Sequence, residues 1–256
     1  MTTEAPPKAD KKQADPFAEK FAPLERPRYW NVVLYGNEGQ GKTSGALTAP
    51  GPILLLNAEG PNSAFYARSL RPDIYEVEIP MRGGAQAVME EAYLWLRDTD
   101  AGHATQTIVL DSLSEAHAAL LWDFSGNPDK PQQNEWGDTN TFLGRYAMNL
   151  RDLPVNVVLV AHETWVKDDV TGVVERSAFP GTSNVAFGKK FTGPFADVVG
   201  YCARVEDEEH GERYMAQLVP ANGRHAKNRN GVLGKAAEIN LTEWFARLSG
   251  TSKEEK

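Results

Sequence analysis

The sequence predicts an α/β fold, with a mainly parallel central sheet flanked by helices and an antiparallel C-terminal extension. Three observations predict it. Four short runs, "WNVVLY" (30–35), "PILLLN" (52–57), "QTIVLD" (106–111) and "VNVVLVA" (155–161), are β-rich and almost continuously apolar. Strands buried on both faces of a parallel sheet have this character. Helical patterns lie between them: Val88, Met89, Ala92, Trp95 and Leu96 share one face, and so do Phe142, Tyr146, Leu150 and Leu153, so strand and helix alternate as in a doubly wound sheet. Later, "DVVGYCARVE" and "RYMAQLVP" flank the polar turn "DEEHGE", the pattern of an antiparallel pair.

Along the chain, residues 1–26 are rich in Pro, Ala, Lys and Asp and read as a flexible arm, with "FAEKFA" as a short segment able to dock. Residues 27–249 form the folded core, closed by a helix over "TEWFARLS", and residues 250–256 form a frayed tail. Hydrophobic residues make up 41% and charged residues 24% of the 256, enough apolar mass for a sizeable core. No apolar run approaches the roughly 20 residues of a membrane span, and the amino end has no apolar signal region, so a cytoplasmic protein is expected. The single cysteine, Cys202, excludes an intrachain disulfide and lies in a strand-like run as a structural thiol. A net charge of −8 argues against coating nucleic acid by bulk charge, although a local basic groove remains compatible with it.

The first strand runs into "GNEGQGKT", which fits G-x-x-x-x-G-K-[ST] with Gly36, Gly41, Lys42 and Thr43. The spacing has a chemical reason. Glycines let the backbone curl so that N–H groups face inward around phosphate oxygens, and the following helix adds its positive end. Gly36, Asn37, Glu38, Gly39, Gln40, Gly41, Lys42, Thr43 and Ser44 are thus expected to bind ATP. Lys42 reaches the β- and γ-phosphates, and the Thr43 hydroxyl completes the coordination of Mg²⁺. A second metal-supporting group should end a buried strand, and "TIVLD" supplies Asp111; the alternative for Asp111 is an N-cap of the helix after it. Ser112 follows where a catalytic glutamate could stand, so the base must come from elsewhere. Glu59, after a strand placed here beside the phosphate-loop strand, would reach the same sheet edge and polarise the attacking water.

Several stretches resemble bacterial RecA. "LLLNAEGPNSAFYARSL" is similar to the RecA segment that carries the catalytic glutamate, "TIVLDSLSEA" to its metal-aspartate strand, and "RHAKNRNG" to the stretch with which one protomer reaches the neighbour's ATP. The resemblance spans residues 28–232, in RecA's order, and in size is nearest to the phage RecA-like single-strand annealing proteins of the Sak type. It implies a RecA-like P-loop NTPase, with Glu59 as base and His162, where RecA has glutamine, as the polar group that senses the γ-phosphate. It also implies that Lys227 and Arg229 are cations inserted in trans, acting on the charge that phosphoryl transfer spreads over the γ-oxygens.

The resemblance further implies two DNA-facing loops. The first, "DFSGNPDKPQQNEWGDTN", is acidic apart from Lys130, with Trp136 able to stack. The second, "FPGTSNVAFGKKFTGPF", has no acids and combines Lys189 and Lys190 with Phe187 and Phe191. Cations that track phosphates and aromatic faces that stack bases suit single strands; a phenylalanine every four residues is equally a buried helix face. RecA's separate C-terminal domain has no counterpart here. The expectation is an ATPase that binds single-stranded DNA as a homo-oligomer, ring or filament, and promotes annealing or recombination, with a single-strand binding protein as a further possible partner. The alternatives are an annealing module that uses ATP as a structural clamp, and another P-loop motor or phosphotransferase.

Overall fold

The computed structural model describes residues 29–63, 65–126, 130–167, 172, 174–178, 188, 191–207 and 211–251. The arm at 1–26, most of the C-terminal tail, and Lys189, Lys190 and Phe187 lie outside the described residues.

The chain opens with β1 (Asn31–Gly36) and α1 (Lys42–Ala46), then β2 (Ile53–Asn57), α2 (Phe65–Leu70), β3 (Ile74–Glu78), α3 (Ala85–Asp98) and α4 (Asp100–His103). There follow β4 (Thr107–Asp111), α5 (Leu113–Ser125), α6 (Gln133–Arg151), β5 (Asn156–Lys167), β6 (Val174–Ala178) and a π-helical turn at Phe191–Phe195. The last elements are β7 (Val198–Asp207), β8 (Gly211–Gln217), β9 (Lys227–Asn228), β10 (Ala236–Glu238) and α7 (Leu241–Leu248). The strands form one sheet in the order β10-β8-β7-β1-β5-β4-β2-β3, with β6 on β5 and β9 on β7. Pairs from β7 to β3 are parallel, and β8, β10, β6 and β9 attach antiparallel. The expected fold class is the one observed. Among the described residues no helix is long and apolar enough to cross a membrane.

The continuous apolar runs have the physical reason expected of them. Successive side chains of a strand point to opposite faces, and here both faces are covered. Val33, Tyr35, Leu54, Leu56, Ile108, Leu110, Val157 and Leu159 pack on α3, α5 and α6. Val32, Leu34, Ile53, Leu55, Val109, Val158 and Val160 pack against α1 and the Leu241, Trp244, Phe245 and Leu248 face of α7.

Three expectations are corrected. β2 is not beside β1: β5 and β4 lie between them, because the chain crosses outward to build β2 and β3 before returning to β4 and β5. The acidic stretch around Trp136 is mostly helical, since Glu135 accepts the Gln132 backbone N–H at 2.6 Å in a capping box that starts α6 early. Its Trp136 packs on His117, with ring centres 5.6 Å apart. Phe191 is fully buried, as is Phe195. The phenylalanine spacing here is that of a core face, and Phe191 offers no surface to a base.

Candidate nucleotide site

Parallel strands deliver their carboxyl ends to one edge, where α/β sheets hold ligands. In register, Gly36 of β1 stands beside His162 of β5, and Asn57 of β2 beside Asp111 of β4. The loop Glu38–Ser44, Glu59, Ser63, Asp111, His162 and Tyr214 surround one cavity of about 330 Å³ at this edge.

The loop's glycines answer to geometry. Gly41 caps α1 with φ 73°, in the left-handed region. A Cβ there would also lie 2.4 Å from Cδ1 of Tyr214. At Gly36 it would lie 2.7 Å from the Cys202 carbonyl oxygen. Lys42 is 8% exposed and donates to the Asn37 carbonyl at 2.7 Å, which holds its ammonium within the loop. Gln40 accepts the Arg204 backbone N–H at 2.7 Å, tying the loop to β7.

Thr43 donates its hydroxyl to Oδ2 of Asp111 at 2.6 Å. Asp111 is 1% exposed, and its Oδ1 has no hydrogen-bond partner among the described residues. Burial pushes its carboxyl up to about 6, with the Glu59 charge adding to the effect and the Thr43 bond opposing it. A buried carboxylate oxygen lacking a partner is costly. An aligned hydroxyl and carboxylate are hard oxygen donors that suit Mg²⁺, which takes one or two protein ligands and completes its shell with water and phosphate. The residues present therefore fit the metal. Among the described residues no group of three His, Cys, Asp or Glu could hold a metal by itself.

Glu59 and His162 meet across the cavity, Oε1 to Nε2 at 2.8 Å. The bond from His162 holds the Glu59 carboxyl below its usual range, and the same bond raises the imidazole. The signs set a pH window. Stability from Glu59 is present above its ordinary 4.5 and is lost as pH falls through the lowered value. Stability from His162 is present below its ordinary 6.5 and is lost as pH rises through the raised value. The melting-temperature difference between wild type and His162→Ala is therefore expected to be largest between about pH 4.5 and 6.5 and to shrink on both sides. A difference that stays flat from acid to alkali would show that the pair adds no linked stability.

Sequence reasoning missed three residues that shape this edge. Ser114 accepts the His162 backbone N–H at 3.0 Å. Tyr214 packs against Gly41 from β8. Asn57 lies beneath Glu59 and bonds its backbone N–H at 2.9 Å. Only Asn57 carried a local signal, as a polar residue ending an apolar strand.

The two cations expected to act in trans do not border this chain's cavity. Lys227 pairs with Val199 of β7, level with Val33, three residues before Gly36 on β1. Its ammonium donates to the carbonyls of Gly193 and Ala196, the latter at 2.6 Å. Burial and neighbouring Arg229 hold it below its usual range. The reading of Lys227 as a cation inserted in trans concerns a neighbouring chain; within this chain two backbone carbonyls hold its ammonium. Arg229 is 57% exposed, with Asp197 3.5 Å away, and does not border the cavity.

A family model described as an AAA domain matches residues 28–230. No curated protein sequence matches the chain. Among solved structures, a KaiC-like protein of the hyperthermophilic archaeon Pyrococcus horikoshii is similar at a TM-score of 0.43 with 13% identity, over 75% of this chain and 80% of that one.

Proposed function

The chain belongs to the AAA-domain family of P-loop ATPases, and on that premise we propose that it hydrolyses ATP at this cavity and couples turnover to single-stranded DNA as a homo-oligomer. One observation carries the hydrolytic part. Lys42, the Thr43–Asp111 pair and the Glu59–His162 pair, from four different stretches of sequence, line a single cavity.

The chemistry follows from the residues. Lys42 and the inward-facing loop hold the phosphate tail. Thr43 and Asp111 would hold Mg²⁺, which when bound offsets charge on the phosphate oxygens. Glu59 accepts a proton from water as the water oxygen bonds to the γ-phosphorus and the bond to the β-phosphate oxygen breaks. His162 now donates to Glu59. When a γ-phosphate arrives, the same N–H turns to a phosphate oxygen and releases the carboxylate to act as base. Bound nucleotide and a free base are thereby linked through one hydrogen bond.

The oligomeric part rests on the resemblance to RecA together with the position of Arg229. Its guanidinium is exposed and does not border this chain's own cavity, which suits a cation offered to a neighbouring chain's nucleotide. The affinity for DNA, and a role in annealing, rest on the resemblance and on the lysine pair at 189–190. A clamp that binds ATP without turning it over is the second reading, favoured by the engagement of Glu59 with His162.

The test is phosphate release with and without a single-stranded oligonucleotide, beside light scattering. The expected result is turnover that rises with the oligonucleotide and with assembly, and that Arg229→Ala lowers without changing nucleotide affinity. Full-rate turnover by a monomer indifferent to DNA would contradict it. Annealing that needs bound ATP but consumes none would establish the clamp.

A further inference from the structure

Asn57 is fully buried at the end of β2, and three of its four side-chain bonds serve the short loop that carries Glu59. Its Oδ1 accepts the Glu59 backbone N–H at 2.9 Å and the Ser63 hydroxyl at 3.2 Å. Its Nδ2 donates to the Gly60 carbonyl at 2.8 Å and to Oε1 of Glu76 at 2.6 Å. A backbone N–H on one side and a backbone C=O on the other leave one orientation for the amide. On the next strand, Glu76 uses its second oxygen for an ion pair with Arg68. Arg68 in turn donates to the Pro61 carbonyl at 2.7 Å, inside the same loop. The loop after β2 is thus gripped from within by Asn57 and from outside by Arg68, and both grips are anchored on Glu76 of β3.

We infer that Asn57 is a positioning residue for ATP hydrolysis: with Glu76 it fixes the backbone of the Glu59 loop, so that the carboxylate reaches the attacking water when His162 lets it go. This rests on the reading of Glu59 as base. Among the described residues no hydrogen bond joins the Asn57 or Glu76 side chain to the phosphate loop, so the loss of Asn57 should act more on the chemical step than on binding. Misplacing a reacting group by an ångström costs up to about a hundredfold.

The side-chain chemistry supplies a test by exchange. In Asn57→Asp the new carboxylate still accepts from Glu59 and Ser63 but faces the Gly60 carbonyl and the Glu76 carboxylate. Its kcat is expected to fall at least roughly tenfold, with ATP affinity within about twofold of wild type. Glu76→Gln alone leaves an oxygen for the Asn57 amide but gives up the Arg68 ion pair, so its kcat is expected to fall less than that of Asn57→Asp. The double variant sets the amide introduced at 76 against the carboxylate introduced at 57, and is expected to recover part of the lost rate, the Gly60 carbonyl still lacking its donor.

Wild-type kcat in Asn57→Asp, while Glu59→Gln is inactive, would overturn the inference. So would a parallel loss of affinity, melting temperature and rate that Glu76→Gln does not rescue, since that marks a merely structural residue. Undiminished turnover in Glu59→Gln would instead bring down the parent reading, and this inference with it.

Discussion

Lys42→Ala is expected to lose ATP binding and turnover together. The ammonium is the one cation placed inside the loop, 8% exposed and anchored on the Asn37 carbonyl at 2.7 Å. Alanine removes the positive charge proposed to meet the β- and γ-phosphates, and it removes the bond to the Asn37 carbonyl within the loop. Deleting a single preorganised donor to a developing oxyanion costs on the order of 10²–10³ in rate, or roughly 3–4 kcal/mol. A charge at two phosphates should cost no less. The fold should survive, because Lys42 lies at the carboxyl edge of the sheet and is not part of the apolar core that packs around α1. Titration calorimetry with ATP and a phosphate-release assay check both halves, with melting temperature as the control. Unchanged affinity would mean that the nucleotide does not lie in this loop.

Glu59→Gln is expected to separate binding from chemistry. Glutamine keeps the size and can still bond to His162, but its amide cannot take a proton from water. General-base catalysis contributes about 10²–10⁴-fold, and kcat should fall within that range. Binding should hold or tighten, for an electrostatic reason. The Glu59 charge is one of the causes that lift the Asp111 carboxyl to about 6. Without it Asp111 ionises more readily and is the better partner for Mg²⁺. The variant should therefore retain ATP at one per chain, unhydrolysed, in the presence of the metal. Turnover equal to wild type would move the base to another residue.

Much of this site was legible because its residues answer to local geometry. A left-handed turn against an aromatic ring admits only glycine at Gly41, and a buried strand that ends in Asp111 needs a partner for its carboxylate. What stayed hidden depends on neighbours that sequence does not list. The place of β2, with two strands between it and β1, is a matter of crossover order, which no local pattern encodes. β3, "IYEVE", was missed because an edge strand is half exposed and mixes polar with apolar residues. Phe191 read equally as a stacking face and as core, since four-residue spacing serves both, and packing decided it. The hold on Lys227 stayed hidden because two backbone carbonyls that capture an ammonium leave no trace in composition. Tyr214 and Ser114 reach the site from β8 and α5 only through the folded topology.

The central claim is that the edge formed by Gly36–Ser44, Glu59, Asp111 and His162 hydrolyses ATP. The direct measurement is phosphate release from ATP with Mg²⁺ by the purified wild-type chain, run beside Lys42→Ala and Glu59→Gln, with bound nucleotide counted in each. The account predicts turnover in the wild type alone, and nucleotide retained by the wild type and Glu59→Gln but not by Lys42→Ala. Phosphate released at the same rate by all three, or by none with no nucleotide held, would contradict it.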